Sequence, residues 1–154
     1  MSISLVPDAL LPDYRAVTPD FLRERGVTLL LCDLDFTLAP KSVRHPDEAV
    51  RAWIDRLHRA GVTVMVVSNN RSGRRATDFC AELGIPYQGH AKKPGTEGLR
   101  KAMARAGKGR SETAMLGDKL LTDILAANRA GVLPLMVEPV GGAVTAWQKV
   151  LHAL

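Results

Sequence analysis

Four glycines cut this chain at nearly even steps. Gly61, Gly84, Gly107 and Gly131 stand 23, 23 and 24 residues apart, and each follows directly on a stretch with helical periodicity. Glycine there supplies a left-handed helix cap at no steric cost. Each interval is the length of one strand and one helix, although the intervals do not repeat in sequence. Apolar runs at residues 27–32, 62–67, 113–116 and 132–137, with a weaker one at 86–88, are predicted strands. Residues 46–60, 72–83, 94–106 and 120–130 are predicted helices, the first with Val50, Trp53, Ile54 and Leu57 at helical spacing. Strands alternating with helices require crossover connections and a parallel sheet covered on both faces. The expected fold class is therefore α/β: three layers around a five-stranded, mainly parallel sheet.

A chain of 154 residues suits one domain, residues 1–154, that buries roughly 70% of its unfolded surface. Residues 1–26 read as an extended or turning lead-in with Pro7, Pro12 and Pro19, in which Leu5, Val6, Leu10 and Leu11 are pinned against the body. Thr18-Pro19-Asp20 has the cap, first-position proline and acidic first turn of a short helix ending at Gly26. In the last segment, 142–154, Val144, Trp147, Val150, Leu151 and Leu154 fall on one side of a helix. That helix packs on the sheet or the lead-in, or else touches a membrane surface through Trp147 and Lys149.

Composition narrows the function classes. No stretch approaches the ~20 apolar residues of a membrane span, and the first residues lack the signal-peptide pattern, so the expected location is cytoplasmic, either free or peripheral on the inner face of the membrane. Cys32, in an apolar strand, and Cys80, in a helix, are expected as buried free thiols. The net charge of +5 gathers at Arg71, Arg74 and Arg75 and again along 100–110, either as solvated helix faces or as attraction to an anionic partner. Aromatics make up 5% and do not interleave with the basic clusters, which argues against a nucleic-acid stacking platform.

The chemistry gathers at strand ends. In LLLCDLDFTL, residues 29–38, a run hydrophobic enough to be a doubly buried strand stops at Asp33 and Asp35, with Thr37 beyond. Alternation along a strand sends both carboxylates to one side, where they repel unless a cation or shared proton relieves them. Ser68-Asn69-Asn70 ends the second strand, Lys92-Lys93-Pro94 the third, and Gly117-Asp118 through Asp123 the fourth. Parallel strands bring these ends to one edge, where α/β sheets bind ligands. Taken singly, Ser68, Asn69 and Asn70 could be helix caps, Lys92 a solvated neighbour, and Asp123 a local helix partner. Together, Asp33, Asp35, Asp118 and Asp123 put up to four negative charges into an otherwise positive protein. Hard oxygen ligands with room for water and substrate suit Mg2+, and the cation with Lys93 would attract a phosphate. An aspartate can carry a phosphoryl group covalently, while a second carboxylate moves protons.

DLDFTL, followed in order by Ser68, Lys93 and GDKLLTD, resembles the motif set of the haloacid dehalogenase (HAD) phosphatase superfamily. The proline-containing lead-in, SNN, KKP and GDKLLTDILAANRAGVLPLMVEPV resemble, over nearly the full chain, the YqeG-type subfamily IIIA phosphatases. That group includes the mitochondrial phosphatidylglycerophosphate phosphatases. The resemblance implies Asp33 as nucleophile and metal ligand, and Asp35 as general acid/base that lends its backbone carbonyl to the metal. It implies Ser68, Asn69 and Lys93 as phosphate-binding, Asp118 as metal ligand, and Thr37 and Asp123 as supporting residues. The family usually has asparagine where this chain has Phe36. Asp33, Ser68, Lys93 and Asp118 are separated by 35, 25 and 25 positions, which leaves no room for a cap domain; residues 39–45 could form only a small flap. An uncapped site suits a large or surface-bound phosphomonoester, such as phosphatidylglycerophosphate at an anionic membrane that Arg44, Arg71, Arg74 and Arg75 would attract. A phosphatase for a soluble metabolite, protein or nucleic-acid end is an alternative, and a non-catalytic binding module using the basic surface is another.

Overall fold

The computed structural model describes residues 6–69 and 74–139. Leu5, Asn70, Arg71, the first residues of the helix expected from Ser72, and the helix expected over 142–154 lie outside them. Strands β1 (Ala9–Leu11), β2 (Leu29–Cys32), β3 (Thr63–Val67), β4 (Tyr87–Gln88), β5 (Thr113–Gly117) and β6 (Leu133–Val137) form one sheet in the order β1-β6-β5-β2-β3-β4. Every pairing is parallel.

The sheet thus has six strands, not five. The sixth comes from the lead-in, where Ala9, Leu10 and Leu11 pair with Leu135, Met136 and Val137. Leu11 packs on the core, but the side chains of Leu10 and Val6 are 48% and 67% exposed. These two are held by their backbones, Leu10 in the pairing with Met136 and Val6 through its carbonyl, which accepts from Asn128 Nδ2 at 3.0 Å. Three edge residues between prolines carry no readable alternation, whereas the doubly buried strands do announce themselves as apolar runs.

Helices α1 (Pro19–Glu24), α2 (Glu48–Arg59) and α3 (Arg74–Leu83) cover one face, and α4 (Glu97–Ala106) and α5 (Leu125–Ala130) the other. Alternation along β2 divides its leucines accordingly: Leu30 and Cys32 join Trp53 and Phe79 on the first face, Leu29 and Leu31 join Leu99 on the second. Asp47 caps α2 by accepting from the Val50 backbone N–H at 2.9 Å, and Val50, Trp53, Ile54 and Leu57 are its buried residues. Trp53 then ties down the lead-in. Its indole Nε1 donates to the Val17 carbonyl at 2.8 Å and its ring meets Tyr14 edge-on at 5.0 Å. All four spacing glycines adopt positive φ.

Two helix starts differ from the expectation. Pro94 precedes α4, because Gly95 N–H closes a turn onto the Lys92 carbonyl at 2.8 Å and the helix begins at Glu97. The expected helix over 120–130 opens as a π-helical turn, Leu120–Ile124, before α5. Wide turns of this kind recur at functional sites.

Candidate active site

β2 has β3 on one side and β5 on the other, so the sheet's strand order reverses there. The crevice beyond such a reversal is where open α/β sheets bind ligands. The chain leaves β2 at Asp33, whose N–H bonds the Leu116 carbonyl at 3.0 Å. The carboxyl oxygens of Asp33, Asp118 and Asp123 lie within 4.8 Å of one another, and all three residues are buried. Lys93, equally buried, reaches across β2 from the segment before α4. Its Nζ donates to Asp123 Oδ1 at 2.5 Å and to Asp33 Oδ1 at 3.3 Å.

Asp123 owes its place to the π-helical turn and to Gly117. The Lys119 N–H donates to Asp123 Oδ2 at 3.2 Å, folding the side chain back over the end of β5. A Cβ on Gly117 would sit 2.3 Å from that same oxygen. Only glycine allows this approach.

Three carboxylates against one ammonium leave the cluster short of positive charge, and its acidities reflect that. Burial pushes Asp33 up to about 6, with Lys93 pulling the other way. Burial, then the neighbouring Asp123 and Asp33, push Asp118 up to about 7. Lys93 is driven up, as Asp123 and Asp33 outweigh its own burial. Buried hard oxygens with uncompensated negative charge are a donor set that fits a divalent metal.

The remaining expected residues divide. Ser68, Asn69, Lys93, Asp33 and Asp35 line one open cavity of about 480 Å³. The Asn69 amide is engaged at both ends: its Nδ2 donates to the Lys93 carbonyl at 3.0 Å and its Oδ1 accepts from the Lys93 N–H at 2.8 Å. Thr37 Oγ1 stands 3.5 Å from Asp118 Oδ1, a long bond. The Asp35 carboxylate is not in the acidic cluster; it pairs with Arg75 Nη1. Arg75 is therefore not an unengaged basic surface group. Sequence reasoning missed Lys41, Lys119 and Thr122, which also line the cavity. Lys119 could have been found, since it directly follows Asp118 in GDKLLTD at the end of the fourth predicted strand. Phe36 takes φ 63°, a left-handed conformation that asparagine tolerates far better than an aromatic residue.

A parallel three-layer sheet with acids at its central strand's end defines a class. Residues 8–131 match the haloacid dehalogenase-like hydrolases, and the chain belongs to that family. Its relatives place it among the phosphatases there. The Bacillus subtilis protein named "Probable phosphatase YqeG" is 32% identical over 138 residues, covering 90% of this chain and 80% of that protein. The chloroplastic phosphatidylglycerophosphate phosphatase 1 of Chlamydomonas reinhardtii is 33% identical over 143 residues, covering 87% of this chain but only 53% of that longer protein. Among solved structures, the cobalt-bound deoxy-D-mannose-octulosonate 8-phosphate phosphatase of Haemophilus influenzae aligns at TM-score 0.55 and 24% identity, over 70% of this chain and 67% of that one. A Xanthomonas campestris protein aligns at 0.58 and 20% identity, over 97% and 80%. These two likenesses concern the fold.

Proposed function

We propose that this chain is a Mg2+-dependent phosphomonoester hydrolase, organised as a single domain, that works through a phosphorylated Asp33. The observation that carries this reading is the buried trio Asp33, Asp118 and Asp123 with Lys93 bridging two of its members. Asp33 and Asp118, with the Asp35 backbone carbonyl, would hold the cation; bound there, it neutralises the cluster and draws electrons from a phosphoryl oxygen.

The chain's own residues then divide the work. Asp33 attacks phosphorus, and an O–P bond forms as the ester P–O bond breaks. Asp35 gives its proton to the departing alcohol oxygen, then as a carboxylate takes one from the water that releases phosphate from Asp33. Ser68 and Lys93 hold the phosphoryl oxygens, with Asn69 beside them fixing the Lys93 backbone. Asp123 holds Lys93, and Thr37 steadies Asp118.

The substrate we assign is phosphatidylglycerophosphate, hydrolysed to phosphatidylglycerol at an anionic membrane surface. Three observations support this. One relative bears that substrate in its name. Among the described residues no inserted domain covers the cavity. Its rim carries exposed Lys41 and Lys119, and Leu121, adjacent in sequence to the cavity-lining Thr122, is 65% exposed. Cationic groups beside an exposed apolar side chain suit a headgroup layer.

The test is Mg2+-dependent phosphate release from that lipid in vesicles, set against nucleotide and sugar phosphates at equal concentration. Preference for the lipid supports the assignment; equal or faster turnover of the soluble compounds contradicts it and leaves the phosphatase chemistry standing.

A further inference from the structure

The segment between β2 and α2 carries Asp35 and is stitched to the body by one side chain. Arg75, in the first turn of α3, sends its guanidinium under this loop. Nη1 donates to Asp35 Oδ1, Nη2 to the Pro40 carbonyl at 2.9 Å, and Nε to the Val43 carbonyl at 2.6 Å. The side chains of Arg75 and Asp35 are 18% and 19% exposed, well below the exposure at which ion pairs contribute little. A guanidinium usually grips one carboxylate with both arms. Here the three N–H groups reach acceptors on three residues, so the fork fixes the path of the loop as well as one acid. Among the described residues Asp35 Oδ2 has no partner, and Asp35 lines the cavity. One carboxylate oxygen is thus anchored on the guanidinium, in a residue that borders the cavity.

We propose that Arg75 is the positioning residue for proton transfer at this site, aiming the Asp35 carboxyl by clamping both Oδ1 and the loop that carries it. The inference rests on the reading of Asp35 as the group that moves the proton. In the step concerned, Asp33 Oδ forms a bond to phosphorus and the ester P–O bond breaks. The ester oxygen takes the Asp35 proton, a neutral alcohol leaves, and Asp35 remains as a carboxylate beside Arg75. A misaimed Asp35 cannot meet that oxygen, and geometry of this kind is a large part of what a positioned acid contributes. Lysine could not replace arginine here, because a single ammonium lacks the planar fork.

The leaving group provides the readout. p-Nitrophenolate departs readily without a proton, whereas a glycerol alkoxide does not. We would measure kcat/KM for glycerol phosphate and for p-nitrophenyl phosphate, with Mg2+, in the wild type, Asp35→Asn, Arg75→Met and Arg75→Lys. Asp35→Asn is expected to lower kcat/KM for glycerol phosphate by about 100-fold or more, and less for the aryl ester. Arg75→Met is expected to lower both, with the ratio of glycerol phosphate to aryl ester falling about tenfold, as for a partly lost acid. Arg75→Lys, which retains a charge at Asp35 and a gentler packing change, is expected to show the same order with a smaller drop. If Arg75→Met does not fold, the ratio in Arg75→Lys decides. A uniform loss on both substrates, or an unchanged ratio, in the Arg75 variants beside a lowered ratio in Asp35→Asn overturns the assignment of Arg75 alone. An unchanged ratio in Asp35→Asn overturns the reading of Asp35, and the role of Arg75 with it.

Discussion

Lys93 occupies the position with the least room for change. Its ammonium is buried with Asp123 and Asp33 as partners, and Asp123 is fully buried. Breaking a buried pair from one side costs about 3–5 kcal/mol, because a charge is stranded. We therefore expect Lys93→Met to lose stability of that order in a denaturant melt, in addition to its activity. Asp118 should behave in the opposite way. Burial and two neighbouring acids make its ionised form unfavourable, so Asp118→Asn should raise the melting temperature without metal and abolish the stabilisation given by added Mg2+. A thermal melt with and without Mg2+ measures both. An Asp118→Asn protein that melts lower in EDTA and still responds to Mg2+ would contradict this account of the cluster. The types and order of these residues were legible in the sequence, because two acids ending an apolar run have no structural purpose. Their partners were not. Nothing in the spacing of Arg75 points to Asp35, forty positions away, and the left-handed Phe36 contradicts its own propensity.

The strand ends and the turns that follow them decide where those side chains go. β5 closes on Gly117 so that the π-helical turn can fold Asp123 back against it. Gly117→Ala would drive a methyl group into that carboxylate. We expect a loss of about 1–3 kcal/mol from the forced shift together with a large fall in kcat, since Asp123 carries Lys93 with it; circular dichroism melts and phosphate release test the two effects. The expected helix over 120–130 had the right place and the wrong opening, because a π-helical turn and an α-turn share one apolar pattern while differing by one residue in their hydrogen bonds. β1 escaped notice for a different reason. A three-residue edge strand between Pro7 and Pro12 buries too little to leave an alternation. The glycine-capped strand–helix units were readable because a cap and a doubly buried strand each need particular residue types.

At the level of the folded chain, the acidic cluster makes stability depend on pH in a definite direction. Asp118 holds its proton up to about 7 in the fold but releases it near 4 when unfolded. The folded state binds the extra proton within that window, so stability without metal falls as pH rises from about 4 to about 7. Asp33, pushed up to about 6, acts in the same direction. Mg2+ needs the ionised carboxylates, so its stabilisation should be larger at pH 8 than at pH 5, read as the shift in melting temperature on adding Mg2+. A metal-free melting temperature that climbs between pH 5 and pH 7 would contradict these acidities. The family fold, the parallel sheet and the neutralising lysine all serve one purpose in this account, which is to let Asp33 accept a phosphoryl group. The most direct test is to find that group. The protein is mixed with Mg2+ and p-nitrophenyl phosphate, quenched in acid within the first turnovers, digested and analysed by mass spectrometry, alongside Asp33→Asn and Asp35→Asn. We expect phosphate on the Asp33 peptide of the wild type, an increased amount in Asp35→Asn where water is no longer activated, and none in Asp33→Asn. Turnover in the wild type with phosphate on another residue, or undiminished turnover in Asp33→Asn, would contradict it.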